Sequence, residues 1–244
     1  MTGFMVVLQR ECMAYFSSPM IYFLLACFAI THGFFVLIPH VTTLASWLEV
    51  GNISLIIPTL LILFVPAVGM RSWAQERHTG SIELLLTLPI DPEAAVLGKF
   101  FAGLITIMFA LAGTIPSVLM STDVLFADLG RVFALYVGAL LLGGCFLAVS
   151  MMISALTSTP WLAYVLTLIF LIICWFVVYI PYLIGNNAPV LMGVFSLVDG
   201  LFMAPRYARM HMGFWILSDF LFFILFLTCW LWACMIAVRR WVEE

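Results

Sequence analysis

Charged residues are rare in this sequence, and four of them lie close together. Only 9% of the 244 residues are Asp, Glu, Lys or Arg, yet Arg71, Glu76, Arg77 and Glu83 share one short segment, residues 71–90, with the sequence RSWAQERHTGSIELLLTLPI. Charged side chains are costly in hydrocarbon, so this segment is expected to meet water at a membrane surface. Its groups suit recognition of a partner there.

The second half of this segment predicts a short amphipathic helix. Thr79, Gly80 and Ser81 offer a capping hydroxyl and a flexible entry, and Pro89 ends the helix. Apolar residues recur at i, i+3 and i+4, and an acidic residue lies on another side. These residues are Ile82, Leu85, Leu86 and Glu83. A helix that docks on a partner and a helix that only lies on lipid both fit this periodicity.

Asp219 is a candidate intramembrane functional acid. It lies among Phe and Leu residues inside an apolar run, where a carboxylate must be paired or close to water. The alternative interpretation is that Asp219 is shallow enough to reach the outer interface or to pair with Arg206 or Arg209. His32, His40 and Glu49, near the outer end of the first apolar run, are interpreted as solvated residues at the membrane interface.

A cluster of soft side chains follows Phe202. Thioether and imidazole groups suit copper, but methionine also fills irregular apolar gaps, which is the interpretation that we favour. The residues are Met203, Met210, His211 and Met212. We therefore predict no metal site in the chain.

Motifs of catalysis are absent from the sequence. There is no G-x-x-x-x-G-K-[ST] phosphate loop, and no Ser/His/Asp arrangement or metal-spaced His/Cys cluster. We therefore expect that the chain is not an enzyme, that it needs no cofactor of its own and that any ATP is hydrolysed by another chain. No basic cluster indicates a nucleic-acid partner.

Composition indicates an integral membrane protein. Apolar residues make up 66% of the chain, and the mean hydropathy is +1.23. Six apolar windows approach the length needed to cross about 30 Å of hydrocarbon. The windows are 20–38, 53–71, 96–119, 132–156, 161–181 and 214–238. The predicted fold is therefore all-α, with six transmembrane helices and both termini on one side.

The positive-inside rule orients this bundle. Six basic residues, Arg10, Arg71, Arg77, Lys99, Arg239 and Arg240, lie on the side of the termini, and three, Arg131, Arg206 and Arg209, lie on the other. The termini and segment 72–92 are therefore expected in the cytoplasm. Residues 1–19 predict an amphipathic interfacial helix before the first span, and residues 182–212 predict an outer re-entrant segment.

Several short motifs resemble the signature of ABC-2 type transporter permeases and, more narrowly, of the gliding-motility-associated permease group. They are Pro66-Ala67, Met70-Arg71, Ala74, Glu76-Arg77, residues 80–87 and Pro89-Ile90. Ser81 stands where the family usually has Thr, which keeps the hydroxyl. The resemblance implies a single transmembrane domain, residues 1–244, with an elbow helix, a coupling helix between spans 2 and 3, and re-entrant helices between spans 5 and 6.

The resemblance also implies a mechanism. The coupling helix would dock on a cytoplasmic ATP-binding subunit that holds ATP and Mg²⁺, through Glu76, Arg77, Gly80, Ile82, Glu83, Leu84 and Leu85. The chain would work in the bacterial inner membrane with a second copy of itself or a close paralogue, with room for a periplasmic accessory protein. An apolar pathway with few charged residues favours export of a lipidic or amphiphilic substrate from the cytoplasm or inner leaflet.

Two other classes of function remain open on the sequence. An ATP-coupled membrane scaffold would transmit force or a signal to periplasmic partners without transport. A stand-alone secondary transporter would usually show internal repeats and ionisable groups near the bilayer midplane. No repeat is evident, and Asp219 is the only deep acid.

Overall fold

The computed structural model describes residues 3–41, 53–80, 92–120, 129–177 and 202–243. Within these ranges the chain forms helices and no strands. The helices are α1 (Gly3–Ser17), α2 (Pro19–Val41), α3 (Ile53–Gly69), α4 (Ala74–Thr79), α5 (Pro92–Ala112), α6 (Ile115–Met120), α7 (Leu129–Leu156), α8 (Pro160–Phe176), α9 (Met203–His211) and α10 (Leu217–Glu243). Helices satisfy their own backbone hydrogen bonds, as lipid requires.

Five stretches of the described residues are long and apolar enough to cross a membrane. They are Pro19–Val36, Ile56–Thr79, Pro92–Val118, Gly130–Leu156 and Leu217–Trp241. These stretches match five of the six predicted windows. The window at 161–181 corresponds to α8, an apolar helix of 17 residues, and its last residues lie outside the described ranges. The all-helical membrane fold is confirmed, and a sixth span stays a prediction.

Helix α1 packs along α5 rather than standing apart. Its buried residues, Val7, Glu11 and Tyr15, recur every four positions and form one stripe. Contact is close because Gly98 carries no side chain: a Cβ there would lie 2.8 Å from Val7 Cγ1. Phe4 and Phe101 add an edge-to-face ring contact at 5.8 Å. The amphipathic pattern of the first residues therefore serves packing on the bundle.

Helix α7 is the centre of the bundle. It packs against α3, α5, α8, α9 and α10. Small residues allow its neighbours to approach: a Cβ at Gly69 would lie 2.5 Å from Ser150 Cβ, and one at Gly103 would lie 2.8 Å from Leu147 Cδ2. This dense packing fixes the end of α3, and with it the start of the polar segment that follows.

A short break separates α5 from α6. The Thr114 hydroxyl donates to the Leu111 carbonyl at 2.7 Å, next to Pro116 in α6. His32 Nδ1 lies 2.8 Å from the Ser117 hydroxyl just beyond this break. His32 is 0% exposed, so its interpretation as a solvated interface residue was wrong. The side chains of His40 and Glu49 lie outside the described residues.

Candidate functional site

Four charged side chains meet where α1, α4 and α5 come together. Lys99 Nζ lies 2.7 Å from Glu76 Oε1 and 3.2 Å from Glu11 Oε1. Arg10 Nη2 lies 2.7 Å from Glu11 Oε1 and 3.0 Å from Glu76 Oε1. Two cations and two carboxylates thus alternate in one ion cluster. We call this set, Arg10, Glu11, Glu76 and Lys99, the coupling cluster.

Most side chains of this ion cluster are largely buried. The Lys99 side chain is 1% exposed, and those of Glu11 and Glu76 are 11% and 16% exposed. An unpaired ion at such a depth would cost several kcal/mol, so each member depends on its partners. Burial opposes ionisation of Glu11, but the charges of Lys99 and Arg10 and their hydrogen bonds outweigh it, and the pKa of Glu11 is lowered. Glu11 is therefore ionised at neutral pH.

Tyr15 and Arg71 attach α1 and the start of α2 to the end of α3. The Tyr15 hydroxyl donates to the Val68 carbonyl at 3.2 Å, and Arg71 Nη1 donates to the Ser18 hydroxyl at 3.3 Å. Burial raises the pKa of the Tyr15 phenol, so it stays protonated and keeps its donor. The N-terminal helix and the polar segment therefore behave as one packed unit.

Ser154 of α7 caps the start of α4. Its hydroxyl oxygen accepts the backbone N–H of Trp73 at 3.2 Å and of Ala74 at 2.9 Å, and it lies 3.3 Å from the Met70 carbonyl, to which it donates. The first N–H groups of a helix need such an acceptor, which is normally supplied from within the same segment. Here the cap comes from the central helix, so α4 is oriented by α7.

Aromatic rings connect α4 to α10 and α5. The ring of Trp73 meets that of Trp241 edge to face at 5.9 Å. Lys99 Nζ lies 4.9 Å from the centre of the Trp73 ring, and the Arg77 guanidinium carbon lies 4.8 Å from the centre of the Trp241 ring. Both distances are within the range of cation–π attraction. Arg77 also donates to the Ala155 carbonyl at 3.4 Å.

Gly80 ends α4 in the left-handed conformation, with φ of 73°. Its N–H donates to the Arg77 carbonyl at 3.3 Å. Other residues are strained at this φ, so glycine sets the direction in which the chain leaves α4. The other members of the predicted coupling set, Ile82, Glu83, Leu84 and Leu85, lie outside the described residues. The predicted helix after Ser81 is therefore untested.

The structure brings part of the predicted site together and adds residues to it. Glu76 and Arg77 both turn towards the chain's own helices, whereas the sequence predicted them as contacts for a partner. Sequence analysis missed the roles of Arg10, Glu11, Lys99 and Ser154. The signal for Lys99 was present, since a lysine inside the apolar window 96–119 must find a counter-ion.

Asp219 lies in a second ion cluster, at the other end of α10. Its side chain is 0% exposed, and Oδ1 lies 2.8 Å from Arg206 Nη1 and 2.7 Å from Arg209 Nη2. Arg209 Nε also donates to Asp219 Oδ2 at 3.1 Å, which makes that pair bidentate. The Arg206 guanidinium lies 4.2 Å from the centre of the Phe222 ring. Of the two interpretations of Asp219, the geometry favours an ion pair that fastens α9 to α10.

The soft side chains of α9 do not share one environment. Met203 and Met210 are buried, at 6% and 3% exposure, whereas Met212 is 55% exposed. His211 Nδ1 lies 3.2 Å from the Ala208 carbonyl, and burial lowers the pKa of this histidine. Among the described residues, no three His, Cys, Asp or Glu side chains are placed to hold a metal ion.

An apolar groove runs between α2, α3 and α8. Its volume is about 550 Å³, within the usual range of ligand pockets of roughly 300–1,000 Å³. The walls are almost entirely apolar or aromatic, with Leu24, Phe28, Leu60, Phe64 and Trp161 among them. This apolar lining suits a hydrocarbon chain better than a polar solute.

Comparison with curated proteins found no match. A protein-family model described as "ABC-2 family transporter protein" matches residues 8–195. This range includes most of α1, all of α2 to α8 and the whole coupling cluster, and it ends before α9 and the Asp219 cluster. Because the match covers well over half of the sequence, the chain belongs to the ABC-2 family of transporter proteins.

Proposed function

We propose that this chain is the membrane-spanning subunit of an ATP-driven exporter. As a member of the family it is a membrane permease component of an ABC transporter, and such permeases generally work with an ATP-binding subunit. In the proposal that subunit lies in the cytoplasm, holds ATP and Mg²⁺, and docks on residues 76–89. The observation that carries the proposal is the coupling cluster, which joins this segment to α1 and α5.

The cluster gives the docking segment mechanical contact with the bundle. Glu76 is held by Lys99 of α5 and Arg10 of α1, while Ser154 of α7 caps the first turn of α4. A push on residues 76–89 would therefore reach three helices at once, in addition to α3. When two ATP-binding subunits close on nucleotide, α3 and α5 would tilt together and change access to the pathway. The resemblance of residues 66–90 to the family signature supports this assignment of the segment.

The apolar groove supports a lipidic or amphiphilic cargo. It lies against α2, whose apolar stretch Pro19–Val36 is only 22% buried. The groove opens on the surface of a single chain, so a second copy or a close paralogue would complete a pathway there. We propose that hydrocarbon enters this groove from the inner leaflet and leaves on the opposite side of the membrane. The positive-inside rule supports cytoplasmic termini for this direction.

Charge reversal in the docking segment tests the coupling role. Glu83→Lys is expected to leave the protein folded but to uncouple ATP hydrolysis from transport, because the segment would no longer fit its partner. The chain and its ATP-binding subunit would be purified in mild detergent and assayed for ATPase activity and for transport in liposomes. Glu93→Lys makes the same charge change at the exposed start of α5 and serves as the control. Normal transport by the Glu83→Lys protein would refute the proposal.

A second candidate function is an ATP-coupled scaffold. The ion pairs of Asp219 with Arg206 and Arg209 favour this function, since they hold α9 against α10. A fixed α9 could bind an accessory protein on the periplasmic side. Exporter and scaffold differ in their response to cargo. ATPase activity that rises with added lipid in liposomes supports the exporter, whereas activity that rises only with an accessory protein supports the scaffold.

A further inference from the structure

A second cavity shares no lining residue with the apolar groove. It has a volume of about 360 Å³ and is formed by α4, α7 and α10. Two guanidinium groups, those of Arg77 and Arg240, border it, and Trp241 lies beside them. The remaining wall is apolar and includes Leu156, Ala233 and Ile236. A cationic rim thus meets an apolar floor.

The ends of three candidate spans indicate the depth of this cavity in the membrane. The apolar stretches containing α3, α7 and α10 end at Thr79, Leu156 and Trp241. The cavity lies at these same ends, where hydrocarbon gives way to headgroups. Tryptophan is enriched at this depth, and arginine side chains extend there to reach phosphate. The rim of the cavity therefore lies at the height of lipid phosphates.

The cavity is accessible to lipid. Leu156 is 64% exposed and Ile236 is 37% exposed, and only 22% of the α10 stretch Leu217–Trp241 is buried. Ala233 and Ala237 leave room along α10 that larger side chains would fill. Among the described residues, no carboxylate forms an ion pair with Arg77 or Arg240. The charges bordering the cavity are therefore positive in the described part of the chain.

We infer that this cavity binds an anionic phospholipid, with the phosphate between Arg77 and Arg240 and an acyl chain along Leu156 and Ile236. Basic pockets between membrane helices suit such headgroups, and guanidinium groups pair well with phosphate oxygens. The site is separate from the cargo groove. Because Arg77 lies next to Glu76 of the coupling cluster and packs on Trp241, a bound lipid would hold α4 against α10.

Lipid binding by the purified full-length chain tests this inference. Native mass spectrometry would compare retention of phosphatidylglycerol with that of phosphatidylcholine. Arg240→Gln is expected to lower the affinity for phosphatidylglycerol about fivefold, the effect of one arginine near an anionic headgroup. Arg240→Lys should keep most of the preference, since it keeps the charge. Ala233→Phe should also lower binding, because it fills the apolar floor without a change in charge.

Arg239→Gln is the matched control, since this neighbouring arginine turns to Glu93 instead of the cavity. It is expected to change affinity less than twofold. Equal losses in the Arg239→Gln and Arg240→Gln proteins would show a general charge effect and overturn the site. Unchanged lipid binding in Arg240→Gln, with or without weaker retention of an ATP-binding subunit, would overturn it too. Neither readout depends on transport, so failure of the exporter proposal would not affect this test.

Discussion

Lys99 is the residue on which the coupling cluster depends. It is the most buried member of the cluster, and it contacts both carboxylates. A lysine at this position is tolerated because Glu11 and Glu76 replace the water that it loses. The lysine is hard to replace for the same reason, since its removal takes away the ammonium group that contacts both buried carboxylates.

Lys99→Gln is therefore expected to lower the free energy of unfolding by about 3 kcal/mol, the usual cost of breaking a buried ion pair. Chemical denaturation in mixed micelles would measure the loss. Arg239→Gln removes a cation from an exposed pair, with Arg239 57% and Glu93 54% exposed, and should cost less than about 1 kcal/mol. Equal costs for the two substitutions would contradict the central role of Lys99.

Acidification should reduce the difference in the free energy of unfolding between wild type and Lys99→Gln. The pKa of Glu11 is lowered in the folded protein from its ordinary value of 4.5, so its stabilising charge is present above that pH. The contribution is lost as the pH falls through the lowered folded value. Without Lys99 the pKa of Glu11 is lowered less, and less stability remains to be lost in acid. A gap that persists unchanged below pH 4.5 would contradict this account.

At the scale of helices, the junction of α3 and α7 fixes the polar segment. Gly69 lies against Ser150, and Ser154 one turn further along α7 caps α4. The position of α4 thus depends on close approach of two membrane helices. A side chain at residue 69 would push α3 away from α7 and would move the cap away from the N–H groups that it accepts.

Gly69→Ala is expected to destabilise the fold by roughly 1–3 kcal/mol, the range for an overpacked core. Ser150→Gly should restore much of the loss in the double variant, because it removes the Cβ that lies 2.5 Å from the new methyl group. Thermal unfolding in detergent would compare the three variants. Gly130→Ala is the control, since a Cβ there has no heavy atom of the described chain within 4 Å. Absence of rescue would show that the junction is not limited by this contact.

The helices themselves could be predicted from sequence, and the ion pairs of Lys99 could not. Apolar length located the third, fourth and sixth windows within a few residues of Pro92–Val118, Gly130–Leu156 and Leu217–Trp241, because lipid thickness sets that length. The partners of Lys99 lie 88 and 23 residues away in the chain. Periodicity describes one helix at a time and is silent on which helices meet.

The burial of His32 also depends on a contact that periodicity does not predict. Its place near the end of an apolar run predicted an interface position, yet the break after Ala112 brings Ser117 onto it and buries it. Asp219 was different, because its two partners lie only 13 and 10 residues away and on the adjoining helix. The sequence could therefore name Arg206 and Arg209 as candidate partners. Only the folded geometry shows that both contact it.

At the scale of the whole molecule, two exposed cysteines can report where a second copy binds. Cys27 of α2 borders the apolar groove, and Cys229 lies on α10; both are exposed. If a second copy covers the groove, a short bis-maleimide added to membranes is expected to link two chains through Cys27. Cys27→Ser should abolish the linked dimer on denaturing gels, and Cys229→Ser should leave it unchanged. A dimer linked through Cys229, or none, would contradict assembly across the groove.

The coupling cluster also has an electrical property. Arg10 and Lys99 contribute two positive charges, and Glu11 and Glu76 contribute two negative ones, so the four groups together are neutral. One uncompensated charge moved through a membrane potential of 100 mV would change the free energy by about 2.3 kcal/mol. The four groups of the coupling cluster can shift together within that field without such a term. Joint motion of these four charges is therefore insensitive to the voltage of an energised membrane.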